Sequence, residues 1–165
     1  MQTNSRQWPE AALLLIRIEQ ARRRARRKPW DEWLRDLFPQ YVTEDFAPRH
    51  IELWSWIEAL EPGEKPQPFI ALWPRGGAKS TTAELGVVRA GANRSRHYVW
   101  YVSGTQDQAD QHVSNVSSLL ESPRLAAAHP SLSERKLSKY GHSRGWRRSR
   151  LRTASDLTID AIGLD

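Results

Sequence analysis

Residues 69–81, FIALWPRGGAKST, set the terms on which the rest of the chain folds. Residues 69–73 are apolar and are bounded by a Pro/Gly-rich stretch on one side and by Pro74 on the other, the pattern of a short buried strand. Arg75, Gly76, Gly77 and Ala78 then predict a turn, because glycine reaches backbone angles closed to other residues. Lys79, Ser80 and Thr81 open a helix expected to run to about residue 90. A strand, a glycine turn and a helix start that carries Lys-Ser together suit a phosphate. Backbone N–H groups and the positive end of the helix face the anion, Lys79 can reach terminal phosphates, and Ser80 can offer its hydroxyl to magnesium.

The loop departs from the usual pattern of Gly, four residues, Gly-Lys-Ser/Thr. Trp73 stands at the first glycine position and Ala78 at the second, with Gly76 and Gly77 inside the turn. Ala78 suits its position if φ is negative there. The other reading of the same residues is an ordinary Gly-Gly turn before an exposed lysine.

Upstream, residues 1–60 read as a helical region. Residues 9–28 predict a helix with Leu13, Leu14, Ile16 and Ile18 as its apolar part, followed by a run at 22–28 in which six of seven residues are basic. That run fits a nucleic-acid contact or a solvated helix end. Trp30, Trp33, Leu34, Leu37 and Phe38 recur at helical spacing, with Pro39 as the stop. A further helix is expected over residues 48–60, burying Ile51, Trp54, Ile57 and Leu60. Phe46 and His50 are candidates to hold an adenine ring, with a plain core contact as the alternative for Phe46. Residues 61–68, EPGEKPQP, read as a linker to a second region over 69–165.

Downstream, residues 98–102 (YVWYV) predict a second buried strand, and Thr105 with Gln108 predicts a capped helix lined by Ala109, Val113, Val116, Leu119 and Leu120 and closed by Pro123. Residues 125–128 suggest a helical turn. Residues 150–153 and 157–162 read as a small hairpin around Ala154, Ser155 and Asp156. Strand, helix, strand, helix is the alternation of an α/β fold with a mostly parallel sheet and flanking helices. Between them, residues 135–152 hold eight Lys/Arg and no Asp/Glu, with Trp146 inside RGWRRSR, a composition suited to phosphate contact with stacking or to a solvated loop.

The 25 basic and 19 acidic residues leave a formal charge of +6, which weakly favours a polyanionic partner. Cysteine is absent, so disulfides and thiolate metal sites are excluded, and the five histidines lack metal-ligand spacing. The apolar residues 11–16 are too few to span a bilayer, so no membrane association is expected. Hydrolysis of a bound nucleotide needs an acid to organise magnesium and another to orient water. Glu84, Asp107, Asp110, Glu121, Glu134, Asp156, Asp160 and Asp165 follow the loop, and none comes after a run of four or more apolar residues. The catalytic half is therefore expected to be missing.

With these pieces placed, the chain resembles the N-terminal part of the ATPase domain of a tailed-bacteriophage terminase large subunit, a DNA-packaging motor. Residues 73–81 (WPRGGAKST) carry the resemblance, with residues 101–109 (YVSGTQDQA) and His112-Val113, the lead-in at 46–56 and the strands at 151–163 as weaker support. It implies a P-loop NTPase-like fold, incomplete here, with ATP and Mg²⁺ as cofactors. Lys79 and Arg75 would be the catalytic residues, Lys79 binding the β/γ-phosphates and Arg75 contacting phosphate or responding to its loss; Ser80 would hold the magnesium, Gly76 and Gly77 would shape the cradle, and Ala78 and Thr81 would complete the nucleotide-binding set. It also implies double-stranded DNA as partner, the portal and small terminase subunit and a homo-oligomeric ring for the full-length parent, and the host cytoplasm as location. The family's acidic strand, its coupling motif and its nuclease domain have no counterpart, so a truncated terminase or a fragment that binds nucleotide without turnover is expected. The alternatives are a small basic nucleic-acid-binding protein without nucleotide chemistry and a different P-loop NTPase.

Overall fold

The structure is a computed structural model that describes residues 27–143 and 145–165, with Ala12, Leu14, Leu15, Ile18 and Arg22 before them. Most of the helix expected over residues 9–28, and of the basic run that ends it, lies outside the described residues. Its last two residues are engaged: Arg27 donates to the Asn93 carbonyl at 3.2 Å, and Lys28 pairs with Asp36.

Helix α1 (Trp30–Leu37) turns Trp33 and Leu34 into the core, and Pro39 opens a 3₁₀ turn, Pro39–Tyr41. Helix α2 (Pro48–Glu58) starts at Pro48 and buries Leu53, Trp54 and Ile57, while Ile51, expected on the inner face, is exposed. Helix α3 (Lys79–Ala92) crosses α2 closely, because Gly86 faces Ile57: a Cβ at Gly86 would lie 2.6 Å from Ile57 Cδ1. Strand β1 (Tyr98–Ser103) leads to α4 (Gln106–Leu120), whose start is capped by the Thr105 hydroxyl accepting from the Gln108 N–H at 3.3 Å. The short helices α5 (Pro123–Ala128) and α6 (Pro130–Ser133) follow, and then β2 (Arg150–Arg152) and β3 (Thr158–Gly163). Between these two strands Asp156 takes a left-handed φ of 69°, which aspartate tolerates better than most residues, and pairs with Lys136.

One core joins the helices of residues 30–60 to α3, α4 and the sheet. Trp33, Phe38, Trp54 and Ile57 share it with Leu85, Val88, Val113, Val116, Leu120, Leu151 and Ile159. Trp30 stacks on Trp54 with rings 5.3 Å apart and parallel within 2°.

The sheet overturns the expected fold class. The mostly parallel sheet of a P-loop NTPase does not form; the described residues build a mixed three-stranded sheet in the order β1-β3-β2. Strand β3 pairs parallel with β1, Val99 beside Ile159, and antiparallel with β2, Leu151 beside Ile159. Residues 69–73 form no strand. Phe69 and Trp73 pack at the core edge, but Ile70 and Leu72 are 80% and 90% exposed. An unbroken apolar run suits a strand only where a sheet covers both faces and neighbours take its backbone hydrogen bonds, and here alternate side chains have no cover.

Candidate functional site

The loop at residues 74–78 is built from a turn and a left-handed helix entry. The Gly77 N–H donates to the Pro74 carbonyl at 3.2 Å, closing a turn in which Gly76, at φ 76°, occupies the place that requires positive φ. Ala78 follows at φ 57°, so the condition of negative φ that would suit alanine there is not met. No side chain caps α3, and its first helical hydrogen bond runs from the Thr82 N–H to the Ala78 carbonyl at 2.9 Å. The N–H groups of the first turn therefore lack helical acceptors and point out of the N-terminus, the positive end of the helix dipole.

Three cations stand around this end. Arg75 and Lys79 are exposed, and Arg49 lies over the Trp73 ring at 6.0 Å from its centroid. Among the described residues none of the three is ion-paired to a carboxylate. Ser80 is exposed beside Lys79, and Thr81 is half-buried. The loop residues expected to act together are thus brought together by the entry into α3.

His50 holds the loop from the other side. Its Nδ1 accepts from the Ala47 N–H at 3.2 Å, which places the proton on Nε2, and Nε2 donates to the Gly77 carbonyl at 3.0 Å. The ring also meets Trp73 edge-on, with centroids 5.1 Å apart. A cleft of about 180 Å³ opens between this clamp and α3, lined by Tyr41, Phe46, His50, Trp54, Thr81 and Thr82 among others, with Glu44 and Asp45 also in its wall. Phe46 is committed to the core edge, 4.7 Å from Trp30 and beneath the Arg35 guanidinium. His50 is a positioning residue for the loop, and Phe46 behaves as a core contact that forms one wall of the cleft.

One helical turn beyond Ser80, the Glu84 carboxylate accepts from His112 Nδ1 at 2.7 Å and Asn115 Nδ2 at 2.9 Å. His112 stacks on Tyr101, whose hydroxyl is buried without a hydrogen-bond partner and whose acidity is pushed far down by burial and by the Glu84 charge. The network ties α3, α4 and β1 together and turns Glu84 away from the loop. Among the described residues no three His, Asp or Glu side chains gather where they could hold a metal.

Four of the eight basic residues at 135–152 are ion-paired within the fold. Arg135 pairs with Glu121, Lys136 with Asp156, Arg148 with Asp107 and Asp110, and Arg150 with Asp160. Arg135 also covers the Trp146 ring at 5.1 Å. Arg49 and the clamp by His50 were not anticipated from sequence; the signal available was only the pair of residues following Pro48 at a helix start. No protein-family model, curated protein or solved structure matches the chain.

Proposed function

We propose that the start of α3 binds the phosphates of a nucleotide, without turning it over. The observation that carries this reading is the uncapped helix N-terminus entered through left-handed Ala78, with Arg49, Arg75 and Lys79 around it and no carboxylate ion-paired to them among the described residues. Phosphate oxygens can accept from the first-turn N–H groups while Lys79 and Arg75 balance the charge. The adjoining cleft is smaller than a typical ligand pocket, so it suits a base or ribose alone, and the phosphates lie on the exposed loop. Glu44 and Asp45 in its wall can accept from sugar hydroxyls or an exocyclic amine. The resemblance of residues 73–81 to the terminase loop makes ATP the nucleotide to test, and gives the chain the place of the nucleotide-binding part of a DNA-packaging motor. Were magnesium to accompany the nucleotide, the Ser80 hydroxyl would be the residue to hold it, with phosphate oxygens and water as the other ligands.

The test is a titration of the chain, beside Lys79→Ala, with a fluorescent ATP analogue in the presence of magnesium. Saturable binding weakened about ten-fold or more by the substitution is expected, since a charge-assisted hydrogen bond is lost. Absence of binding by the folded chain, or binding indifferent to Lys79→Ala, would overturn the reading. Steady ATP hydrolysis that depends on Lys79 would overturn the claim that turnover is lacking.

A further inference from the structure

The two faces of the sheet differ. Val99, Tyr101, Leu151, Ile159 and Ala161 pack on the core, with α4 against β1 and β3. On the opposite face Tyr98, Trp100 and Val102 are 51%, 61% and 52% exposed. The register sets rows across that face: Tyr98 beside Thr158 beside Arg152, and Trp100 beside Asp160 beside Arg150. An aromatic column and a basic column therefore flank β3.

Asp160, the one acid of the face among the described residues, is spent internally. Asp160 accepts from Arg150, whose Nη2 lies at 2.9 Å, and from the Tyr98 hydroxyl, and these contacts hold its carboxyl below the usual range. Arg147 stands at the edge of the same face and lines a cleft of about 360 Å³ with Tyr98, Trp100, Ser149 and Ile162. Unlike Arg135, Lys136, Arg148 and Arg150, it has no carboxylate partner among the described residues. Arg152 donates to the Thr158 hydroxyl at 3.4 Å, and its charge acts on Asp156 and Asp160 without an ion pair to either among the described residues.

An exposed indole beside the Arg147 guanidinium, which has no carboxylate partner among the described residues, selects its occupant. An apolar protein surface laid here would bury the Arg147 charge without compensation. Duplex DNA keeps its base faces stacked inside the helix and offers only phosphate. A single strand presents both a base face and a phosphate. The Tyr98 ring meets Trp100 edge-on, with centroids 5.8 Å apart, which leaves the indole as the stacking platform and Tyr98 as its lateral support.

We propose that the open face of the sheet binds single-stranded nucleic acid, a base stacking on Trp100 and the adjoining phosphate held by Arg147 and Arg152. The site is separate from the start of α3 and does not depend on nucleotide binding there.

Fluorescence anisotropy of a labelled oligothymidylate with the full chain tests this, beside the same strand annealed to oligodeoxyadenylate. Trp100→Ala is expected to weaken single-strand binding about ten-fold, and Trp100→Phe, which keeps a stacking ring, to retain most of it. Arg147→Ala is expected to weaken binding and lower the salt dependence by about one counterion, and Lys79→Ala to leave both unchanged. Circular dichroism of each variant checks that the fold is retained. Equal affinity for duplex and single strand, or a Trp100→Ala variant that binds like the parent, would overturn the proposal. So would self-association lost on Trp100→Ala in a chain that binds no oligonucleotide, which would make the face a contact between two copies.

Discussion

His50 and Gly77, separated by 27 residues in the chain, are joined by a 3.0 Å hydrogen bond from the imidazole Nε2 to the glycine carbonyl. The bond locks the turn before α3 to the start of α2, because the other ring nitrogen is held by the Ala47 N–H. Replacing His50 by Phe keeps a ring against Trp73 and removes both bonds. The variant is expected to lose about 1 kcal/mol of stability by urea denaturation and about five-fold in affinity for the fluorescent nucleotide. Unchanged values for both would show that the loop holds its shape without the clamp.

Ala78 carries a backbone angle that glycine adopts more easily, φ 57°. Ala78→Gly relieves the left-handed strain at the entry to α3 and pays back part of that gain in chain entropy, so the urea midpoint is expected to rise by the equivalent of up to about 1 kcal/mol. Ala78→Val, β-branched at the same angle, is expected to fall below the parent by about 1–2 kcal/mol. Reversal of that order would mean that the loop is not left-handed at this residue.

Arg89 is buried and donates to Glu58 through Nε at 2.7 Å and Nη2 at 3.1 Å, with Nη2 also reaching the Lys28 carbonyl at 2.7 Å. Its guanidinium covers the Trp33 ring at 5.1 Å. Arg89→Ala breaks a buried pair and opens space against the indole, and about 3 kcal/mol of stability is expected to be lost. Arg89→Lys keeps the charge but not the planar fork, and is expected to recover less than half of it in the same denaturation series.

His129 predicts a pH dependence. Burial, with Arg89 beside it, holds the imidazole below the usual histidine range, and the Trp33 indole N–H donates to its Nε2 at 3.3 Å, which requires that nitrogen unprotonated. The unfolded chain takes up the proton at about pH 6.5, before the folded one does. The contribution is therefore complete above that pH and is lost as pH falls through the folded value. The urea midpoint is expected to fall between pH of about 8 and about 5, and His129→Gln to reduce that fall. A His129→Gln variant with the parent's full pH dependence would assign the effect to other groups.

Local chemistry specified the elements whose signals lie within one turn or one strand. Pro48 starts α2, Lys79 starts α3, Thr105 caps α4, and residues 98–102 form β1 almost to the residue. The hairpin around Asp156 was readable for the same reason, a polar turn between two short β-forming runs. The same locality placed Arg75, Gly76, Gly77, Ala78, Lys79, Ser80 and Thr81 at a helix entry, since neighbours in the chain remain neighbours in space.

Tertiary structure decided everything that depends on who covers whom. Residues 69–73 have the composition of a strand, but a strand exists only where another supplies hydrogen bonds, and the sheet forms instead from β1, β3 and β2. The basic run at 135–152 carries no acid of its own, yet Glu121, Asp107, Asp110, Asp156 and Asp160 come from elsewhere to pair with four of its eight basic residues. Likewise Trp100 reads in sequence as part of a buried strand, and it is open because no described element packs over its face of the sheet. Composition and periodicity are properties of a segment, whereas burial, ion pairing and sheet membership belong to pairs of segments that no local pattern names.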